Sequence, residues 1–63
     1  MTFKVGDPVV HRRTRLRGTV LPRNAAGGMF VGAHETVIRC YSDERPLIVA
    51  TRDLEPLDQQ EAV

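Results

Sequence analysis

Arg12, Arg13, Arg15 and Arg17 place four arginines in six consecutive positions, inside the segment HRRTRLRG from His11 to Gly18. A guanidinium carries a fixed positive charge and a planar set of donors, so arginine at this density matches phosphate or carboxylate and stacks on flat bases. As one straight strand, the segment puts Arg13, Arg15 and Arg17 on one face with His11, and Arg12 on the other beside Thr14 and Leu16. As a loop over residues 12–16, it splays all four over a rim, with Leu16 tucked inward as the anchor. Arg23, from the next loop, is expected to join them. The candidate binding residues are therefore Arg12, Arg13, Arg15, Arg17 and Arg23, directed at nucleic acid or at an acidic protein surface.

The formal net charge is only +1, so the run does not belong to a uniformly basic chain. Residues 4–23 carry Lys4 and these five arginines against Asp7, whereas residues 53–63 carry Asp53, Glu55, Asp58 and Glu61 with no base. Such asymmetry creates a local positive field at near-zero total charge, unless the run is merely solvated or pairs with the chain's own acidic tail. The aromatic residues are Phe3, Phe30 and Tyr41, and the sequence pI is about 8.0. Both features fall short of the usual footprint of a dedicated nucleic-acid binder. A protein partner therefore ranks first and nucleic acid second.

No catalytic residue, metal site or cofactor is assigned. His11, His34, Glu35 and Cys40 form neither paired cysteines nor two histidines at ligand spacing. His34 reads as a loop residue. Cys40, inside an apolar strand pattern, reads as a small buried hydrophobe, because a reactive thiol needs an exposed and electropositive setting. Asp53 and Glu55 resemble a carboxylate pair but fall where a helical turn begins and a surface turn follows. The segment NAAGG lacks the Gly-Lys-Ser/Thr ending of a phosphate loop.

The elements that must position these residues are strands. Gly6-Asp7-Pro8 is a turn signal followed by Val9 and Val10, and Thr19 to Leu21 reads as a second strand closed by Pro22. RNAAGG reads as a loop, and MFV as a loosely marked extended piece. ETVIRCY, the turn SDE and RPLIVAT read as a strand pair. A helical turn over Arg52 to Leu54 is expected to lead into a last short strand before Pro56 and Leu57. No window of ten or more residues keeps helical apolar spacing free of Gly or Pro. The expected fold is all-β: a small five-stranded SH3-like barrel over residues 1–57 with a one-turn helix before the last strand, then a polar tail, 58–63. Neither TVIRCY nor PLIVAT alternates cleanly, so apolar strand surface is left for a partner, for a second copy, or for cover by the loop at 23–34.

Sixty-three residues support one small core, which leaves self-association open as a further source of stability. A lone cysteine and the absence of an apolar leader or span are expected of a cytoplasmic protein with no membrane partner.

FKVGDPVVH, with Gly18 and Val20 of GTV, resembles the opening of the Tudor-like, RNA-polymerase-interacting domain of the CarD-type bacterial transcription regulators. Phe3, Val5, Gly6, Asp7, Val9 and Val10 follow that family's order, and the resemblance covers mainly residues 3–20. It implies a binding barrel whose protein partner is RNA polymerase. The chain departs from the pattern at RRTRLR and lacks the helical DNA-binding domain that follows in that family. The same Gly-Asp-x-Val opening is similar to KOW-type nucleic-acid-binding domains and to the self-assembling type II dihydrofolate reductases. Where those reductases have Val-Gln-Ile-Tyr in their penultimate strand, this chain has PLIV, without the Gln or the Tyr.

Overall fold

The computed structural model describes residues 3–57. The tail at 58–63, including Asp58 and Glu61, lies outside the described residues, as do Met1 and Thr2. Five strands form: β1 (Pro8–His11), β2 (Arg17–Val20), β3 (Glu35–Cys40), β4 (Pro46–Ala50) and β5 (Leu54–Pro56). They make one antiparallel sheet in the order β4-β3-β2-β1-β5. This is the expected all-β barrel with a one-turn helix before its last strand, left open between β4 and β5. That turn is a 3-10 turn over Thr51–Asp53, one residue earlier than the sequence suggests, and Leu54 already belongs to β5.

The entry turn is built as its residue types dictate. Gly6 takes φ 94°, a conformation open to glycine, and Asp7 N–H donates to the Lys4 carbonyl at 3.0 Å. The Asp7 carboxylate accepts from Lys4 N–H at 2.9 Å, which fixes the turn from within. Gly6 N–H then donates to the Val20 carbonyl at 2.8 Å and Val20 N–H to the Asp7 carbonyl at 3.0 Å, so the turn docks on β2. Pro8 opens β1, where its missing N–H costs no ladder bond.

Val9, Val20, Ile38, Cys40 and Leu54 pack together inside the curved sheet, with Phe3, Leu47 and Val49 against them. Val37 points to the other face yet is only 1% exposed. Its cover is the 3-10 turn Arg23–Ala26, which packs across β3 and β4 and buries Ala26. The sequence suggests plain loop there; the structure puts a helical turn, and MFV forms no strand. Of the fates open to the apolar strand face, cover by this segment accounts for Val37.

Gly18 sits at the centre of the sheet, opposite Val9 of β1 and Cys40 of β3. A Cβ built on it would lie 2.4 Å from the Arg39 carbonyl oxygen, a backbone atom with little freedom to retreat. Gly18→Ala is expected to lower stability by about 2–3 kcal/mol in urea unfolding followed by circular dichroism. Gly28→Ala, where nothing lies within 4 Å, is the control, with a change within about 0.5 kcal/mol. Equal midpoints for the two variants would contradict this close approach.

Candidate functional site

Residues 12–16 form the loop of the β1–β2 hairpin rather than a strand, so the rim arrangement is the one adopted. His11 N–H donates to the Leu16 carbonyl at 2.7 Å and Arg15 N–H to the His11 carbonyl at 2.7 Å. Thr14 holds the loop from inside: its hydroxyl lies 2.9 Å from His11 Nδ1 and accepts from Leu16 N–H at 3.4 Å. Closing the hairpin this way forces Arg15 to φ 64°, the left-handed region that glycine or asparagine usually fills.

The five candidate arginines divide into two groups. Arg12 is turned onto its own fold. Its backbone N–H donates to the Asp53 carbonyl at 2.8 Å, its Nη2 donates to the Arg52 carbonyl at 2.6 Å, and its Nη1 lies 4.0 Å from Glu55 Oε1. The hairpin is thereby tied to the turn before β5. Arg23 does not reach the rim. Its guanidinium donates to the carbonyls of Val31, of Gly32 at 2.9 Å and of Glu35 at 3.4 Å, stapling the loop between the first 3-10 turn and β3. Gly32 N–H donates to Glu35 Oε1 at 2.7 Å on the same loop. An arginine among unpaired loop carbonyls finds acceptors locally, which overrides the expectation that it joins the others.

Arg13, Arg15 and Arg17 are exposed, and their guanidinium groups make no hydrogen bond or ion pair among the described residues. Leu16 is not their inward anchor: it is 38% exposed. Loop hydrogen bonds from His11, Thr14 and Arg12 do the holding instead. Val10, on the outward-facing side of β1 yet buried, lies with Arg12, Arg15 and Glu55 around a depression of about 200 Å³, so arginine stems border the apolar residue beneath.

Two further residues belong to this face. Tyr41 N–H donates to the Arg17 carbonyl at 3.0 Å, extending the β2–β3 register, in which Thr19 opposes Arg39. Arg17, Arg39 and Tyr41 therefore share the outer face, and Tyr41 is 63% exposed. Alternation along TVIRCY already pairs Arg39 with Tyr41; only the cross-strand register brings Arg17 beside them. The same end of the sheet carries the β3–β4 turn, where Asp43 accepts from Arg45 N–H at 3.0 Å. Basic and acidic groups thus alternate there. β5 runs from Leu54, opposite His11, to Pro56, opposite Val9, and so leads away from the hairpin tip.

The remaining candidates do not assemble into a reactive site. His34 lies in an exposed turn, and Glu35 opens β3. Both line an open cleft of about 740 Å³ at the gap between β4 and β5, with Arg12, Thr51, Arg52 and Glu55. Among the described residues no three His, Cys, Asp or Glu side chains come together as a metal site. No described helix is long and apolar enough to cross a membrane. Cys40 is 2% exposed, and burial first, then the nearby Asp43 charge, raises its thiol pKa above the ordinary range.

Two outcomes follow. Arg12→Ala is expected to lose about 1 kcal/mol in urea unfolding while Arg13→Ala stays within about 0.5 kcal/mol, and equal losses would remove the clamp role of Arg12. Because the folded Cys40 prefers the neutral thiol, its contribution is complete below the unfolded thiol pKa of about 8.5 and fades as pH rises through the higher folded value. The unfolding midpoint should therefore fall on alkalinisation more steeply in the parent than in Cys40→Ala; parallel profiles would contradict it.

No family model matches this chain, and no curated protein and no solved structure matches it either.

Proposed function

We propose that this chain is a non-catalytic binding module whose partner is a protein surface bearing carboxylates, engaged through Arg13, Arg15 and Arg17. The observation that carries the reading is Arg15 at φ 64° on the hairpin tip. Glycine would hold the same turn with less strain, so an arginine there gives up stability and places a charge on the exposed loop. Alternation of sign supports a protein rather than a phosphate backbone. Asp43 and Glu44 share the end of the sheet with the arginines, and interleaved acids repel phosphates but complement a surface of mixed charge. RNA polymerase is the partner implied by the resemblance of residues 3–20, and it is the first to be tested.

One observation favours a second reading. Exposed Tyr41 beside Arg17 and Arg39 offers a base-stacking surface within a basic face, as a KOW-like nucleic-acid binder would use.

Capture from a bacterial lysate with the parent chain should recover RNA polymerase, and Arg13→Glu with Arg15→Glu should reduce recovery at least about tenfold. A parent that recovers none excludes that partner. Titration of duplex and single-stranded nucleic acid at two salt concentrations separates the readings, since tight binding that collapses with salt transfers the site to nucleic acid. Arg15→Gly has a distinctive signature: it should gain about 0.5–1 kcal/mol of stability while weakening capture. Unchanged capture by that variant would leave Arg15 without a role.

A further inference from the structure

The sheet has two edges, and they are protected unequally. β5 is three residues long and ends in Pro56, so it offers little to a further strand. β4 runs five residues, Pro46–Ala50, with apolar side chains throughout and no charge between its ends. Thr51 N–H donates to the His34 carbonyl at 2.9 Å, which fixes the phase of the β3–β4 ladder. Counting back in steps of two, Val49 and Leu47 turn their backbone groups towards β3, and Leu47 and Val49 also pack on the core. The backbone groups of Ile48 and Ala50, and the Pro46 carbonyl, consequently point out of the sheet.

We propose that β4 pairs antiparallel with β4 of a second copy of this chain, about a twofold axis through Ile48. The strand is self-complementary in that register. Ile48 N–H of each copy meets the Ile48 carbonyl of the other, and Ala50 N–H meets the Pro46 carbonyl. The missing N–H of Pro46 falls at the strand end, where it leaves the central pair intact. Just beyond the ladder, Glu44 precedes β4 and Arg52 follows it in the 3-10 turn, so antiparallel pairing brings Glu44 of one copy to the same end of the seam as Arg52 of the other. Both side chains are exposed and make no ion pair among the described residues, so the charges at the two ends of the seam are complementary rather than repelling. A second copy is the occupant because a twofold pairing satisfies the backbone groups and the flanking charges at once. The pairing uses the backbone of β4 and none of the side chains of Arg13, Arg15 or Arg17, so its test reads separately from what those arginines bind.

Sedimentation equilibrium of the full chain, from about 10 μM to about 1 mM, tests the pairing. The expected mass rises with concentration from 7.0 kDa towards twice that value. Ala50→Pro is the sharp variant, because Ala50 already has φ −65° and the phase of the ladder turns its N–H out of the sheet, with no partner among the described residues. It should keep the monomer's circular dichroism and weaken the dimer about tenfold or more. Glu44→Arg, in an exposed turn that leaves the fold untouched, should weaken the dimer as well, and adding Arg52→Glu should restore it. A parent that stays at 7.0 kDa throughout overturns the proposal. So does a dimer that is indifferent to Ala50→Pro and to Glu44→Arg, since the contact then lies on another surface.

Discussion

The bare Cα of Gly18 is the constraint on which the rest of the molecule depends. β2 is the middle strand, and at its centre the Arg39 carbonyl occupies the space that any side chain would take. That approach lets β2 and β3 lie against each other while Val9, Val20, Ile38 and Leu54 converge on one small interior. With no tryptophan and few large side chains, a core of this kind has no spare volume with which to absorb a displaced strand.

Arginine does two different jobs in the fold, and local acceptors decide which. Arg12 and Arg23 meet backbone carbonyls left over where the chain turns, and each joins segments that strand pairing alone would not connect. Arg13, Arg15 and Arg17 meet no such acceptor among the described residues and stay in solvent with their charge unspent. Opposite charge in the sequence is a poor guide to this division, since the distance from Arg12 to Glu55 is long for an exposed pair and such pairs contribute little.

Local chemistry was legible from residue types. Gly6-Asp7-Pro8 has one low-energy way to turn and enter a strand, and the entry turn adopts it. Val and Ile runs bounded by turn residues fixed the strands and the order in which they occur. What escaped the sequence depended on which partner each side chain found, mostly ones distant in the chain. Leu16 reads as an anchor because it is the one apolar residue in its loop, yet Thr14 and Arg12 hold that loop through hydrogen bonds, leaving Leu16 partly in water. Val37 breaks the apolar-in, polar-out alternation of its strand, and the turn Arg23–Ala26 laid over it accounts for the break. Arg39 and Tyr41 enter the candidate face through a register with β2 that no local pattern encodes.

The pairing of β1 with β5 has a consequence for how the domain is wired. Pro8 and Pro56 stand at one end of these neighbouring strands, and the arginine hairpin stands at the other. Both described ends of the chain therefore exit on the side away from the hairpin. β1 therefore enters the sheet and β5 leaves it at the end opposite Arg13 and Arg15, so the described fold carries its basic tip like the head of a pin.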